Sequence, residues 1–152
     1  MRNWRRESRD KEQQMKGRIT ISADKKSVTP AEAAALYLEL GWGTAQKYSA
    51  ARMRRSLANC DIVVSARNEA GELIGIARAL TDRVIDTKIL DMIVAPEYQR
   101  QGIGIAMMRK TESLTRGTTV YFETEPKNFG FARKCGYRKR KGLTVFVKKN
   151  TR

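Results

Sequence analysis

The chain contains no histidine, and its 152 residues include only two cysteines, Cys60 and Cys135. Histidine is the side chain that ordinarily titrates near neutral pH, so any general base in this protein must be a different group. Two cysteines are too few for a disulfide framework. We therefore expect a reduced, cytoplasmic protein.

Long apolar runs are also lacking. No stretch approaches the roughly 20 apolar residues that a membrane-spanning helix needs. The N-terminus does not read as a charged segment followed by an apolar one, so we expect no leader peptide and no membrane partner. A chain of this length is sufficient for one compact domain that folds unaided.

Acidic residues are scarce, with 16 Asp and Glu against 31 Lys and Arg, for a formal net charge of +15. Both ends are basic: residues 1–17 carry six basic and three acidic residues, and residues 132–152 carry nine basic residues and no acid. This charge predicts attraction to phosphate-bearing partners. The first segment lacks an apolar stripe, so we expect residues 1–17 to be mobile or a loosely held helix and residues 18–152 to form a single domain.

From Arg18 onward, the hydrophobic pattern predicts a strand, two helices, three strands, a helix, a strand, a short helix and a terminal pair of strands over residues 137–149. The first helix begins at Thr29 as N-cap with Pro30 at the first helical position. The second is predicted over residues 44–58. A turn at residues 68–71 joins the first two of the three consecutive strands.

The segment VAPEYQRQGIGIAMMRK, residues 94–110, leads from a strand through a glycine-spaced turn into a helix. The first backbone N–H groups of such a helix, from about Arg100 to Gly104, have no carbonyl partner. Together with the helix dipole and the small glycines Gly102 and Gly104, they favour a bound anion such as a phosphate. A tight strand-to-helix connection alone would explain the same glycines. A Rossmann motif is excluded because the third glycine and the acidic residue are missing.

The segment DMIVAPEYQRQGIG resembles the acetyl-coenzyme A signature of the GCN5-related N-acetyltransferase (GNAT) family, in which Gln or Arg is followed after two residues by Gly-x-Gly or Gly-x-Ala. Here the pattern is Gln99-x-x-Gly102-x-Gly104. Pro96, the Glu97-Tyr98 pair and the order of elements are also similar to that family. The resemblance covers about residues 18–149.

The resemblance implies an α/β fold of the mixed α+β type, the GNAT fold. Its central twisted mixed sheet has about six to seven strands, splayed open, and about four helices flank it. Coenzyme A would lie in the split between the strand that ends at Val94 and the strand TVYFETE. The residues implied in acetyl-CoA binding are Met92, Ile93, Val94, Gln99, Arg100, Gln101, Gly102, Ile103, Gly104, Asn128 and Phe131. Arg100 and Lys110 could add positive charge for the phosphates, although a solvated basic face is the more ordinary explanation for each of them.

The sequence departs from the family at its usual general acid. Members carry a tyrosine beside the phenylalanine that corresponds to Phe131, and here that position is Ala132. In the family, the hydroxyl of this tyrosine can protonate the departing thiolate, a step that contributes typically 10²–10⁴-fold to the rate. Cys135, Tyr137 and Tyr121 are conceivable substitutes, and each is also explained as a core residue.

An acceptor ammonium must lose a proton before it attacks a thioester, and without histidine a carboxylate is the expected base. Asp91 interrupts the apolar strand ILDMIV, which indicates either a catalytic role or a satisfied structural hydrogen bond. Glu123 and Glu125 are predicted to share one face of the following strand. Asp91 and Glu123 are our catalytic candidates.

The acceptor is an amine of unknown identity. Trp42, in LGWGT, resembles a loop that lines the acceptor pocket in some small bacterial members, and it is also explained as a packing anchor. The basic ends indicate an acceptor on an acidic macromolecule, such as a nucleic acid or an acidic protein. We expect an acetyl-CoA-dependent N-acetyltransferase without a metal, as a monomer or homodimer. The alternative is a catalytically weak GNAT-like scaffold that binds nucleic acid through its basic termini.

Overall fold

The structure of the protein, a computed structural model, describes residues 17–150. Its strands are β1 (Thr20–Ser22), β2 (Ile62–Arg67), β3 (Leu73–Thr81), β4 (Asp86–Val94) and β5 (Thr119–Tyr121). Its α-helices are α1 (Pro30–Glu39), α2 (Ala50–Asn59), α3 (Ile103–Ser113) and α4 (Phe129–Lys134). This is the order predicted from the sequence as far as α4. Apart from Gly17, the predicted mobile N-terminal segment lies outside the described residues.

The strands form one mixed sheet in the order β1-β2-β3-β4-β5. The first four strands are antiparallel, and β5 pairs with β4 in parallel. The predicted hairpin is confirmed, since the Gly71 amide donates to the Asn68 carbonyl at 3.0 Å between β2 and β3. The GNAT-like mixed architecture is therefore confirmed.

β4 and β5 pair only at their beginnings. Asp86 lies opposite Thr119, and Lys88 lies opposite Tyr121, where β5 ends. β4 continues for six more residues to Val94, so its edge on the β5 side has no strand partner among residues 17–150. The sheet thus opens between these two strands, as the resemblance implies.

Helices α1 and α2 lie on one face of the sheet. The side chain of Thr29 caps α1 by accepting from the Glu32 amide at 3.2 Å, and Glu32 accepts from the Thr29 amide at 2.9 Å, which completes a capping box. Helix α2 begins at Ala50, six residues later than the predicted start, because Ser49 accepts from the Arg52 amide and caps it there.

Helix α3 packs on the other face. A side chain at Gly75 of β3 would lie 2.9 Å from the sulfur of Met107, so the missing side chain lets α3 approach the sheet. Met107 and Met108 are fully buried there. This packing fixes where the beginning of α3 stands relative to the end of β4.

The described sheet has five strands, fewer than the six to seven that were predicted. Residues 137–150 form no strand in the structure. The side chains of Leu143, Val145 and Val147 are 68%, 60% and 83% exposed, so the apolar alternation that predicted a strand has no neighbouring strand to pair with here. A strand needs a hydrogen-bonded neighbour, and an alternating pattern alone does not supply one. None of the described helices is long and apolar enough to cross a membrane.

Glu32 links α1 to the sheet through Arg67 of β2, whose guanidinium donates to its carboxylate at 2.8 Å. The hydrogen bond from Arg67 outweighs partial burial and lowers the pKa of Glu32 from 4.5 to about 2. A carboxyl group with a lowered folded-state pKa stabilises the fold above its ordinary pKa, and that stability is lost as the pH falls toward the folded value.

We therefore expect Glu32→Gln to lower the free energy of unfolding at pH 7 by about 1 kcal/mol, because it removes one charge of a partly exposed ion pair and a negative charge from the first turn of α1. The difference from the unaltered protein should shrink as the pH falls from 4.5 toward 2. Urea denaturation across this range measures it. Glu39→Gln, at the last residue of α1, is the control and should not destabilise, because a carboxylate there opposes the helix dipole. A pH-independent effect of Glu32→Gln would contradict this assignment.

Candidate functional site

The turn before α3 is held in an unusual backbone conformation. Arg100 has φ +61° and Gly102, the N-cap of α3, has φ +85°. Side chains tie the turn down on both sides: Gln99 donates to the Val94 carbonyl at 2.9 Å, and Tyr98 accepts from Asn68 at 3.0 Å. The turn is therefore a braced loop at the end of β4.

The amides of residues 100–104 donate to no acceptor among residues 17–150, whereas the Ala106 amide already donates to the Gly102 carbonyl at 3.0 Å. A side chain at Gly102 would meet nothing within 4 Å, so the space in front of these amides is open. Free amides at the start of an eleven-residue helix attract an anion. The residues present thus fit a phosphate group.

The two glycines of the motif have different structural surroundings. At Gly104 an added side chain would lie 3.2 Å from the ring of Phe131 in α4. Gly104 therefore lets the short helix α4 pack against α3. Only Gly102 combines a positive φ with open space, so Gly102 is the glycine that an approaching anion needs.

The open edge of β4 offers backbone hydrogen bonds from alternate residues. The Ala95 amide donates to the Ile74 carbonyl of β3 at 2.8 Å, and Ile93 lies opposite Ile76. Because the direction of backbone groups alternates along an antiparallel strand, those of Met92 and Val94 point away from β3, toward the split. Ile93 turns its backbone groups to β3, and its side chain is buried.

Asp91 lies in a buried cluster of polar groups on the α1–α2 face. Its carboxylate accepts from the Tyr37 hydroxyl at 2.6 Å and from Nε and a second guanidinium nitrogen of Arg78, the closer of these contacts being an ion pair. Arg78 also donates to the Ser56 hydroxyl of α2. The sequence leaves open a catalytic role or a structural hydrogen bond for Asp91. Because three donors engage its carboxylate, the structural role is favoured.

The electrostatics of this cluster follow from its burial. Burial alone would lower the pKa of Arg78, but the hydrogen bond to Asp91 and the neighbouring charges outweigh it and raise that pKa. Burial, followed by the charge of Asp91, raises the pKa of the Tyr37 hydroxyl. Arg78 is thus a permanent cation and Tyr37 a permanent donor at neutral pH.

Glu123 and Tyr121 lie where the two strands part. Tyr121 is opposite Lys88 at the last pair of the parallel ladder, and Lys88 forms an ion pair with Glu123. β5 ends at Tyr121, so Glu123, which was predicted to lie within this strand, lies beyond its end, with a side chain 54% exposed. By the register, Lys88 and Tyr121 face the same side of the sheet as Arg78 and Asp91.

The remaining predicted residues are spread around the split. Ile103 is buried beneath the turn, while Arg100 and Asn128 are exposed, and Gln101 donates to the Glu97 carbonyl at 2.9 Å. Trp42 is 46% exposed and packs against Tyr37 in a T-shaped arrangement, with the ring centroids 6.1 Å apart. Trp42 therefore adjoins the Asp91 cluster through one residue.

Two of the conceivable substitutes for the missing tyrosine lie elsewhere. The Tyr137 hydroxyl is 3.5 Å from the sulfur of Met108, and burial, followed by a hydrogen bond to Glu112, raises its pKa. Cys135 is partly buried, and burial raises its pKa as well. Both lie along the second half of α3, whereas Tyr121 is at the split.

Sequence reasoning missed Arg78, Tyr37 and Ser56. Arg78 had a usable signal, because it is the one charged residue in the apolar strand LIGIARALT and forms the natural partner of the one charge in ILDMIV. Tyr37 and Ser56 lie in helices, where nothing in the local pattern distinguishes them from ordinary amphipathic residues. No cluster of three or more potential metal ligands is found among residues 17–150.

A family model described as an acetyltransferase (GNAT) domain matches residues 58–139. The match includes β2 to α4, the turn before α3 and the parting of β4 and β5. The chain belongs to the GNAT family.

Curated relatives support this membership over part of their length. A chloroplastic serotonin N-acetyltransferase of Oryza sativa subsp. japonica is 33% identical over 92 residues, which cover 57% of this chain and 46% of the relative. A histone acetyltransferase of Glycine max is 46% identical over 46 residues, which cover 30% of this chain and 20% of the relative. The match thus spans less than half the length of these relatives.

Solved structures share the fold. A GNAT-family acetyltransferase of Streptococcus pneumoniae superposes with a TM-score of 0.75 at 26% identity, over 89% of this chain and 100% of that one. An aminoglycoside acetyltransferase from an uncultured soil metagenomic sample gives a TM-score of 0.69 at 17% identity, over 88% and 96% of the two chains. The second likeness concerns the fold alone.

The Asp91 contacts generate a stability prediction. Asp91→Asn leaves Arg78 buried without its counter-charge and should lower the free energy of unfolding by about 3 kcal/mol. Adding Arg78→Met, which removes the stranded charge, should recover part of that loss. Denaturant unfolding measures all three proteins.

The control is Asp86→Asn in the same strand, whose exposed carboxylate accepts no hydrogen bond from residues 17–150 and whose effect should stay within about 0.5 kcal/mol. If Asp91→Asn were as stable as the unaltered protein and still lost turnover, Asp91 would be catalytic instead.

Proposed function

We propose that this protein is an N-acetyltransferase that moves an acetyl group from acetyl-CoA to a primary amine by direct attack. The observation that carries the proposal is the open edge of β4 running directly into a helix start with free amides. An extended, phosphate-bearing cosubstrate needs both features side by side.

The pyrophosphate of acetyl-CoA would be held by the amides of residues 100–104, with Gly102 giving it room. Its pantetheine arm would hydrogen-bond to the backbone groups of Met92 and Val94 as an added strand. Because the Val94 carbonyl already accepts from Gln99, the Val94 amide and both groups of Met92 remain for this purpose. Acetyl-CoA supplies the activated acetyl group, a thioester.

For proton removal from the acceptor ammonium we propose Glu123, directly or through water, in preference to Asp91. The carboxylate of Asp91 is buried and held by Arg78 and Tyr37, whereas the carboxylate of Glu123 is paired with Lys88 but remains open to solvent beside the split. Ala132 stands where the family usually has the tyrosine that protonates the thiolate. We propose that the hydroxyl of Tyr121, at the last paired position of β5, donates this proton instead.

The acceptor on an acidic macromolecule remains a proposal, supported by the exposed basic residues 138–141 and the overall charge. The cytoplasmic location also stays a prediction, and the rice relative is chloroplastic by name. The alternative of a scaffold that only binds nucleic acid gains no support from the relatives, which are acetyltransferases.

Gly102→Asp should abolish cosubstrate binding, because it places a negative charge and a side chain in front of the free amides. We expect the dissociation constant for coenzyme A to rise by at least about a hundredfold in calorimetry. Gly117→Asp is the matched control: Gly117 has φ +90° and open space too, but it lies beyond the opposite end of α3. Equal affinities of the two folded variants would refute the phosphate site.

Glu123→Gln should lower kcat by about a hundredfold, as expected for a lost general base, and leave the affinity for coenzyme A unchanged. A thiol-release assay with acetyl-CoA and an amine panel gives kcat. Glu125→Gln removes an equal charge from an ion pair with Lys127, a residue of its own turn, and should keep kcat within about twofold. Equal kcat values for both variants would argue against Glu123 as the base.

A further inference from the structure

A pocket lies on the α1–α2 face, next to the Asp91 cluster. It has a volume of about 190 Å³ and is lined by Lys47, Tyr48, Arg52, Met53, Ser56 and Arg78. Arg78 belongs to this pocket and also holds Asp91 of β4. By the register described above, Tyr121 and Lys88 at the split face the same side of the sheet. The pocket thus adjoins the place where an acceptor would approach.

The pocket is positively charged, and two of its basic side chains have no acidic partner in the described part of the chain. Arg78 is neutralised by Asp91, but neither Lys47 nor Arg52 forms an ion pair with an acidic residue among residues 17–150. Arg52 donates through Nε to the Lys47 carbonyl at 3.2 Å, which orients the guanidinium and leaves its two terminal nitrogens for a ligand. A guanidinium held in this way suits a carboxylate or phosphate.

The aromatic rings near the pocket are not free to bind a cationic ligand. The ring of Tyr37 is covered by the Arg78 guanidinium at 5.3 Å, and the ring of Tyr48 by the Lys47 ammonium at 5.1 Å. Tyr37 and Tyr48 also stack on each other with centroids 4.6 Å apart, which covers one face of each ring. An ammonium group in this pocket would therefore meet cations rather than free ring faces.

We propose that this pocket binds an oxyanion, either a carboxylate or a phosphate, carried by the acceptor amine, and that Lys47 and Arg52 are the residues that contact it. The inference rests on the proposed acetyltransferase function and narrows its substrate class. Acceptors with an acid group are favoured, and polycationic amines are repelled.

Matched acceptor pairs test the proposal in the unaltered chain of 152 residues. The carboxylate pairs are β-alanine against β-alaninamide and γ-aminobutyrate against its amide, and the phosphate pair is O-phosphoethanolamine against ethanolamine. We expect kcat/KM to be at least about tenfold higher for the acid member of at least one pair at low ionic strength, and the ratio to fall as salt is added. The carboxylate and phosphate arms identify which oxyanion is preferred.

Lys47→Gln/Arg52→Gln should bring this ratio close to one while leaving the affinity for coenzyme A unchanged. Arg54→Gln/Arg55→Gln removes the same charge from exposed positions of α2, the helix that carries Arg52, that do not line the pocket, and it should keep the ratio. Equal kcat/KM for acids and amides, or a ratio that persists in Lys47→Gln/Arg52→Gln, would overturn the pocket assignment and leave the acetyltransferase function standing.

A binding readout separates the two proposals if no amine is acetylated. In a Trp4→Phe background, Trp42 is the sole tryptophan, and its fluorescence reports on the neighbouring pocket. Saturable binding of β-alanine or O-phosphoethanolamine that is lost in Lys47→Gln/Arg52→Gln would support the oxyanion site while the proposed function fails. Absence of both turnover and binding would overturn both.

Discussion

The early parting of β4 and β5 is the constraint on which the site depends. Two parallel strands that start together and pair for only three positions leave the rest of β4 with unused backbone groups on one edge. An exposed edge of this kind is ordinarily a liability, because it pairs with any available strand. Here the same edge ends at the braced turn before α3, so a ligand that is extended at one end and anionic at the other fits it.

Each face of the sheet contributes a different function to this arrangement. On one face, Gly75 admits Met107 and thereby seats α3 with its first amides beyond the end of β4. On the other, Arg78 and Asp91 form a buried pair that joins β3 and β4 to both covering helices through Tyr37 and Ser56. Such a pair contributes little net stability, but breaking it is costly, so it fixes the geometry on the acceptor side. The same arginine lines the proposed oxyanion pocket.

Much of this could be predicted from local sequence. The cap at Thr29, the hairpin turn ending at Gly71 and the turn at Gly102 each follow from backbone chemistry within a few residues, and the structure has all three. The glycine motif located the anion-binding turn, although it did not reveal that Gly104 makes room for Phe131. That contact joins residues far apart in the chain.

The predictions that were wrong or left open concern residues whose role depends on side chains or strands distant in the sequence. The alternation in the segment around Leu143 to Val147 predicted a strand, yet a strand exists only where a partner edge is supplied, and here those side chains are exposed. Asp91 stood out as a polar residue in an apolar strand, but whether it was free or paired depended on Arg78, thirteen residues away. Lys47 and Arg52 could not be predicted as binding residues, because surface cations on or beside a helix are common. Only their position around one pocket distinguishes them.

The central claim, that acetyl-CoA lies along the open edge of β4, is tested most directly by residue-resolved amide hydrogen exchange with and without coenzyme A. The account predicts that exchange at Met92 or Val94 and at residues 100–104 slows on saturation, because these amides have no protein acceptor, while Ile93 changes little because it already faces β3. Unchanged exchange at both Met92 and Val94 under saturating coenzyme A would contradict the account.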